Sequence, residues 1–269
     1  MTQVSATVIN QVMWITLDGV ESMNSLTPSV LDGLDQAITD AENDHTLRAV
    51  VLTGAGEVAF SVGMDLTFLE TCFADPTGTF LPFLDHFHAV LQRFEALPIP
   101  VIARVNGLAR AGGFEIILAC DLVVAADDAR VGDIHVEFGM SPGAGSSQRA
   151  PRKLGDQRAK ALMLLPRWLT GPEMVEWGLA ISSVARPDLD AEVEGLLSGV
   201  RGRSRPAIAV TKHLLNAARS ETFADGLELE KVLFARLQTE IAEAAEGYRA
   251  FVGKRPSQWG DVDVRSLFR

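Results

Sequence analysis

The sequence predicts an α/β protein, and the order of its segments is the basis for this class. Continuous apolar runs that are typical of buried parallel strands recur at residues 49–52, 101–105 and 122–126. Segments in which apolar residues follow a helical spacing separate these runs. Strands that alternate with helices along a chain indicate a core of parallel sheets covered by helices.

The composition limits the classes of function. The chain has 269 residues, enough for one large domain or for one domain with a helical extension. The net charge of −11 argues against a nucleic-acid surface, which needs a basic face. Cys72 and Cys120 belong to no paired motif, so we expect reduced thiols in a cytoplasmic protein. We find no signal-peptide pattern and no apolar run that could span a bilayer, and we therefore expect no membrane partner.

The N-terminal elements follow from local signals. Residues 6–17 predict two strands with a turn between them. A helix is predicted to start at Thr27 and Pro28, because threonine is a favourable N-cap and proline suits the first helical position. The run at 49–52 is a buried strand, and residues 56–66 predict a second strand, a turn and a helix start. Proline and glycine at 71–82 predict an irregular loop.

Residues 101–121 form the stretch around which we expect a site. An apolar strand over 101–105 leads to a turn that ends in Gly112 and Gly113, and a buried helix follows. Glycines allow close approach of a ligand to the backbone, and the first N–H groups of a helix have no internal partner. Such a place can hold an oxygen that becomes negative during a reaction. Glu115 lies in the first turn, where an acid also commonly complements the helix dipole.

Later segments continue the alternation. Residues 83–96 predict a helix and residues 122–126 a strand, and the prolines and glycines at 139–145 predict a tight turn. A helix is predicted at 156–165. Thr170 and Glu173 form a capping-box pattern before another short helix.

The last part of the chain is predicted to be helical. An i,i+4 stripe of apolar residues indicates one long amphipathic helix; its members are Leu229, Leu233, Leu237 and Ile241. The stripe suits packing within the same chain, which we take as the simpler arrangement, or packing on a neighbouring subunit. We divide the chain into an α/β core at residues 1–204 and a helical C-terminal subdomain at residues 205–269.

Taken together, these segments resemble the crotonase (enoyl-CoA hydratase/isomerase) superfamily over nearly the whole chain. Each motif is weak alone, but their joint occurrence in the right order is specific. The matching pieces lie at 23–26, 50–54, 60–66, 100–107, 112–115, 120–121, 142–145, 148–149, 246–247, 250–251 and 254–255.

The resemblance implies a crotonase-like spiral of ββα units with a helical C-terminal trimerisation region. Members of the superfamily act on acyl-CoA thioesters. We therefore expect an acyl-CoA substrate, with coenzyme A present only as part of that substrate, no other cofactor and no metal. A homotrimer or a dimer of trimers is the implied assembly.

The resemblance also implies which residues hold the substrate. Two backbone N–H groups bind the thioester oxygen, and these positions match Val62 and Gly112. The CoA-binding segment of the family maps to Val62, Gly63, Met64 and Asp65. Lys254 lies where a lysine often meets the CoA phosphates, in some cases from a neighbouring subunit; the alternative role is a solvated surface charge.

The catalytic residues show an important departure from the family. Hydration of an enoyl unit needs one group that takes a proton from water and one that supplies the α-proton. In the hydratases both are glutamates; the first matches Glu115, but the second falls on His135. A histidine, with a reference pKa of roughly 6.5, can donate or accept a proton near neutrality. Asp133 or Glu137 is expected to orient it if this segment is extended; alternatively, His135 only makes a hydrogen bond in the pocket.

The leading interpretation is an enoyl-CoA hydratase that uses Glu115 and His135 as acid/base groups. One alternative is a double-bond isomerase with a single base. A second is a β-dicarbonyl C–C hydrolase, with or without CoA, in which His135 activates water. A third is a non-catalytic CoA-binding protein. The superfamily also includes RNA-binding members, which the acidic charge disfavours here.

Overall fold

Two sheets form the framework of the structure, which is a computed structural model that describes residues 1–268. The strands are β1 (Gln3–Ile9), β2 (Val12–Asp18), β3 (Ala49–Gly54), β4 (Ala59–Ser61), β5 (Val101–Val105), β6 (Leu108–Arg110), β7 (Leu122–Ala126), β8 (Arg130–Gly132), β9 (Leu169–Thr170) and β10 (Ser182–Val184).

The six-stranded sheet has the order β1-β2-β3-β5-β7-β10. Its first pair is antiparallel and forms the hairpin at the N-terminus, while every later neighbour is parallel. The four-stranded sheet has the order β4-β6-β8-β9, with only its last pair antiparallel. Parallel neighbours require a crossover between them, and the helices provide the crossovers.

The helices are α1 (Pro28–Asn43), α2 (Leu66–Ala74), α3 (Leu81–Ala96), α4 (Gly112–Ala119), α5 (Ser146–Leu154), α6 (Asp156–Leu164), α7 (Gly171–Trp177), α8 (Leu189–Arg201), α9 (Arg205–Ala217), α10 (Phe223–Glu240) and α11 (Glu246–Val252). A five-residue π-helical segment, Pro76–Phe80, joins α2 to α3. Short 3-10 turns lie at Val20–Ser22, His135–Phe138, Arg186–Asp188 and Arg265–Phe268.

One unit is repeated along the core. A strand of the large sheet is followed by a strand of the small sheet and then by a helix, as in β3-β4-α2, β5-β6-α4 and β7-β8-α5. The first strand of each unit is an apolar run that is buried along almost all of its length. This repetition confirms the predicted α/β fold and its crotonase-like spiral of ββα units.

Several local predictions are confirmed. The first helix begins at Pro28 after the N-cap Thr27, although the Thr27 side chain makes no capping bond and meets Ser29 instead. The capping box of Thr170 and Glu173 starts α7. The predicted buried runs all appear as strands.

The loop prediction for residues 71–82 is wrong. Helix α2 continues to Ala74, the π-helical segment follows directly, and α3 starts at Leu81. Proline stands early in both later helical segments, where a missing N–H has no cost. The Asp75 side chain accepts the N–H of Gly78 at 2.9 Å, so the segment is held by a side-chain cap that composition does not reveal.

The C-terminal helices pack on a small core of their own. Leu233 of α10 and the following Ile241 are buried against Ala209 and Val210 of α9. The predicted apolar stripe therefore packs within the chain. The division at residue 204 stays a prediction, and Arg269 of the predicted subdomain lies outside the described residues.

A buried ion pair ties α9 to the core. Lys212 Nζ lies 2.7 Å from the Asp121 carboxylate and donates to the carbonyl oxygens of Phe94 and Ile99 at 3.3 and 3.1 Å. Breaking such a buried pair leaves an uncompensated charge, so this contact fixes the position of α9. Across residues 1–268, no helix combines the length and the apolar character needed to cross a membrane.

Candidate active site

A cavity of about 420 Å³ brings together most of the residues that the sequence singled out. Val62, Met64, Gly112, Glu115 and His135 all line it. They come from three successive repeat units, because the strands of the small sheet and the turns after them end on the same side of the fold.

The remaining predicted binding residues have other positions. Asp65 is the N-cap of α2: its Oδ1 accepts the N–H groups of Thr67 and Phe68 at 3.0 and 3.1 Å. Gly63 has a φ of +82°, and a Cβ at this position would lie 2.9 Å from the Gly112 nitrogen. A glycine is therefore needed where the unit β3-β4-α2 meets the unit β5-β6-α4. Lys254 is exposed after α11 and does not line the cavity of its own chain.

The predicted pair of backbone donors was Val62 and Gly112, and the two N–H groups differ in whether they already have a partner. The Val62 N–H already donates to the Met23 carbonyl oxygen at 3.2 Å. The N–H groups of Met64 and Gly112, by contrast, donate to no acceptor within the part of the chain that the structure describes. Gly112 begins α4, so its N–H has no partner inside the helix. The geometry thus favours Met64 over Val62 as the companion of Gly112.

Sequence reasoning missed Met64 as a donor because a backbone N–H carries no mark in the sequence. Only the parallel bridge between Leu26 and Met64 shows which amides of this segment are used. Within it, Leu26 donates to the Gly63 oxygen at 2.8 Å and Asp65 donates to the Leu26 oxygen at 2.9 Å. Because backbone groups alternate in direction along an extended segment, the N–H of Met64 lies on the side away from Leu26. It has no partner in residues 1–268.

Glu115 is buried on α4, with 2% of its surface exposed. Its Oε1 accepts the N–H groups of Ala144 and Ser146 at 2.7 and 3.2 Å, at the N-terminus of α5. Burial raises the pKa of Glu115 above its ordinary 4.5, and the charge of His135 and the two N–H donors offset only part of this. One oxygen is thus fixed by the backbone, and no hydrogen bond within residues 1–268 engages the other.

His135 lies at the start of a 3-10 turn, so the segment is not extended, which was the condition for orientation by Asp133 or Glu137. Strand β8 stops at Gly132, and Ile134 has a left-handed backbone with φ +50°. This bend brings Nδ1 of His135 to 3.0 Å from Oδ1 of Asp133. Asp133 is fully buried, whereas Glu137 is exposed. Of the two residues predicted to orient His135, Asp133 is therefore the one that contacts its ring.

The charge of His135 follows from these neighbours. Burial lowers its pKa, but the hydrogen bond and negative charge of Asp133, together with the charge of Glu115, outweigh burial and raise the pKa above the ordinary 6.5. Because a carboxylate can only accept, we assign the proton of Nδ1 to the bond with Asp133. The protonated ring then carries a second proton on Nε2.

Ser146 connects Glu115 to the Asp133–His135 pair, and sequence reasoning did not find it. Its backbone N–H donates to Glu115, and its hydroxyl donates to Oδ2 of Asp133 at 2.7 Å. Ser146 is fully buried as the first residue of α5, after Gly145 with φ +101°. A serine directly after a glycine turn at a helix start was the available signal.

Several known proteins are similar to this chain. A family model described as "Enoyl-CoA hydratase/isomerase" matches residues 7–262. The mitochondrial enoyl-CoA hydratase of Pongo abelii is 32% identical over 255 residues, which cover 94% of this chain and 84% of that protein.

Solved structures agree in fold. An enoyl-CoA hydratase from Bacillus anthracis superposes with a TM-score of 0.91 at 29% identity, covering 97% of this chain and 100% of that one. One from Polaromonas sp. JS666 also gives 0.91 at 29% identity, with coverages of 96% and 100%.

The contacts of His135 predict a pH effect. Replacing Asp133 by asparagine removes the negative charge that raises the pKa of His135 but leaves the burial that lowers it. We expect Asp133→Asn to bring this pKa below that of the unchanged protein, so that the ring loses its proton at lower pH. Titration of the imidazole Cε1 proton by NMR measures this, with His135→Gln to assign the signal. The control Glu137→Gln removes an exposed charge nearby and should leave the pKa in place; the opposite pattern would identify Glu137 as the partner.

Proposed function

The chain belongs to the enoyl-CoA hydratase/isomerase family, and we propose that it adds water across the double bond of a 2-enoyl-CoA. The observation that carries the proposal is the meeting of Glu115 and the Asp133–His135 pair in one cavity with two unpartnered N–H groups. The cavity thus holds a base, an acid and a place for a developing negative charge.

In this proposal the thioester oxygen binds the N–H groups of Met64 and Gly112. As water adds to Cβ, electrons move through the double bond onto this oxygen. Donors that are already oriented stabilise the charge without reorganisation, and one such donor is typically worth about 10²–10³ in rate. Val62, predicted as a donor, lines the cavity, but its own N–H donates to the Met23 carbonyl oxygen.

Glu115 and His135 divide the proton transfers. The free oxygen of Glu115 takes one proton from water as the hydroxyl oxygen bonds to Cβ. His135 gives its Nε2 proton to Cα. The product then carries the elements of one water molecule, and both groups are neutral. Return of the proton from Glu115 to His135 restores the starting state. Asp133 holds the ring and favours the protonated form before each cycle.

The Asp133–His135 pair also supports a second candidate, hydrolysis of a C–C bond in a β-dicarbonyl compound. A neutral imidazole that a buried carboxylate orients is a suitable base for water. Water would lose its proton to Nε2 and add to one carbonyl carbon. The C–C bond would then break, and the released carbon would take up the proton.

We further propose that the chain assembles as a homotrimer or a dimer of trimers. Phe223, Phe234 and Phe251 of the C-terminal helices are 84%, 62% and 82% exposed. Aromatic surface of this extent suits a protein interface. Lys254, exposed nearby and absent from the cavity of its own chain, would then be free to meet CoA phosphates at a neighbouring site.

Light scattering at micromolar concentration tests the assembly. We expect a mass three or six times the 29.0 kDa of one chain, because the exposed aromatic side chains are covered in the assembly. The variant Phe251→Glu should lower the mass, whereas Val58→Glu, at an exposed position far from the C-terminal helices in sequence, should not. A monomer mass for the unchanged chain would contradict both the trimer and the role of Lys254.

Crystallography can decide whether Met64 or Val62 supplies the second donor beside Gly112. In a complex with a non-reactive acyl-CoA, we expect the thioester oxygen within about 3.1 Å of the nitrogens of both Met64 and Gly112. These are two amides of the cavity for which residues 1–268 offer no acceptor. An oxygen bound to the Val62 nitrogen, with its bond to Met23 broken, would instead restore the original assignment.

Substitutions at His135 test the reaction. His135→Gln keeps a hydrogen-bonding side chain but cannot titrate, so hydration of crotonyl-CoA should fall by roughly 10²–10⁴-fold and the near-neutral limb of the pH profile should disappear. His135→Glu combined with Asp133→Asn should retain or raise hydration, because it restores the pair of glutamates without leaving a third buried carboxylate beside them. His86→Gln, on α3 and outside the cavity, serves as control.

Product analysis by mass separates the remaining reactions. The protein is incubated with crotonyl-CoA, with a 3-enoyl-CoA and with a cyclic β-diketone. If the unchanged protein cleaves the diketone and both His135→Gln and His135→Glu do not, the second candidate, C–C hydrolysis, is established. Full activity of His135→Gln at every pH would leave Glu115 as the only base and would favour isomerisation.

A further inference from the structure

We propose that the acyl group of the substrate is uncharged, apolar and larger than crotonyl, with six or more carbons. The inference rests on the proposed acyl-CoA function and adds the class of acyl group to it. It follows from the walls of the cavity, from their exposed apolar side chains and from the distribution of charge along the chain.

The cavity has two chemically different walls. Its lining from the first 92 residues is entirely apolar and consists of Leu26, Val62, Met64, Leu66, Leu69, Pro76, Phe80, Leu81, Phe83, Leu84 and Phe87. The rest of the lining, from residues 110–143, holds the acid/base groups and the other polar side chains, and it adjoins the apolar wall where Leu26 and Phe87 lie beside Gly112. A substrate that places its thioester at Gly112 therefore has an apolar surface available for the rest of its acyl group.

Packing fixes the shape of the apolar wall. The Phe83 ring lies 5.1 Å from that of Phe68 and 6.0 Å from that of Phe87, at tilted angles that favour aromatic contact. The π-helical segment Pro76–Phe80 adds to this wall, and Asp75 holds it through the N–H of Gly78. The surface is thus built before a ligand arrives.

Parts of this lining are exposed to water in the free protein. Leu66 and Leu81 are 69% and 54% exposed. Phe138, from the lining at residues 110–143, is 57% exposed. Contiguous exposed apolar side chains around a cleft indicate a binding surface for an apolar partner. The cavity volume of about 420 Å³ also lies within the range of roughly 300–1,000 Å³ that is typical of sites for drug-sized ligands. CoA shares this cavity, since Val62 and Met64 belong to the segment expected to bind it, and the remaining apolar lining suits an acyl group longer than four carbons.

The distribution of charge disfavours an anionic acyl group. The first 92 residues contain one basic residue, Arg48, against twelve acidic ones, so this part carries the whole net charge of −11. Arg48 is buried and paired with Asp261 at 2.7 Å, away from the cavity. Among the lining residues that the structure describes, Arg110 is the single Lys or Arg, and its Nε donates to the Val62 oxygen at 3.3 Å. Arg110, beside Val62, is therefore the one Lys or Arg of the described lining that a terminal carboxylate could meet, and its Nε is already engaged.

Binding of saturated acyl-CoAs tests the inference without turnover. The dissociation constants of butyryl-, hexanoyl-, octanoyl- and decanoyl-CoA are measured by calorimetry with the full chain. Because each buried methylene contributes a factor of roughly fourfold, we expect octanoyl-CoA to bind at least 20-fold more tightly than butyryl-CoA. Glutaryl-CoA, which carries a terminal carboxylate, should bind at least tenfold more weakly than pentanoyl-CoA.

Variants locate the effect on the apolar wall. Leu66→Asn and Leu81→Asn change exposed lining residues, so the fold should tolerate them. Both should weaken the binding of octanoyl-CoA at least threefold more than the binding of butyryl-CoA. Val58→Asn changes a residue that is 63% exposed but does not line the cavity, and should have no such effect.

The outcomes separate the inference from the proposed function. Affinity that is independent of chain length, or a preference for glutaryl-CoA, would overturn the inference while acyl-CoA binding stands. A dependence on chain length without hydration of the matching 2-enoyl-CoA would support the inference and overturn hydration. Absence of binding by every acyl-CoA would overturn both.

Discussion

The structure depends on a constraint at one point, where two buried carboxylates must both be satisfied. Glu115 and Asp133 have 2% and 0% of their surfaces exposed, and a buried ionised carboxylate without partners would cost several kcal/mol. Both converge on Ser146, which offers its N–H to the first and its hydroxyl to the second. The N-terminus of α5 adds the positive end of a helix dipole. Helix α4, the end of β8 and the start of α5 are therefore held in one arrangement.

The same constraint explains the unusual backbone around the cavity. Ile134 adopts φ +50° so that Asp133 and His135 can meet over only two residues, and Gly145 adopts φ +101° so that α5 starts with its amides towards Glu115. Ala111, before the unpartnered N–H of Gly112, has φ +47° as well. Backbone conformations of this kind cost roughly 1–3 kcal/mol for non-glycine residues and persist where the surroundings impose them. Here the surroundings are the buried polar groups of the site.

Local sequence patterns are sufficient to predict the buried strands of the large sheet. They do not predict every short strand, helix α5 or the backbone contacts around the cavity. The buried strands at 49–52, 101–105 and 122–126 are continuous apolar runs, so they were found. Strand β6 has three residues and exists because β4 and β8 flank it. Helix α5 buries Ala150 and Leu154 as the only apolar members of its inner face, and the interior Pro151 argues against a helix, so it was not predicted. The resemblance pointed to Glu115 and His135, which do line one cavity. Ser146 was not predicted, and Met64 was predicted only as part of the CoA-binding segment, because the contacts of the Ser146 side chain and of the Met64 N–H are defined only in the folded chain.

The replacement of the second glutamate by His135 becomes intelligible when the charges of the whole site are counted. A pair of glutamates with one shared proton provides one acid, one base and a total charge of −1. In the proposed hydration, the Glu115 carboxylate, the protonated His135 ring and the Asp133 carboxylate would provide the same: one acid, one base and a total of −1. A histidine alone would have changed that total by one unit in a site where Coulomb interactions are poorly screened. Asp133 compensates for the imidazolium at 3.0 Å and is itself held by Ser146. Histidine, aspartate and serine together thus occupy the chemical place of one protonated carboxyl group.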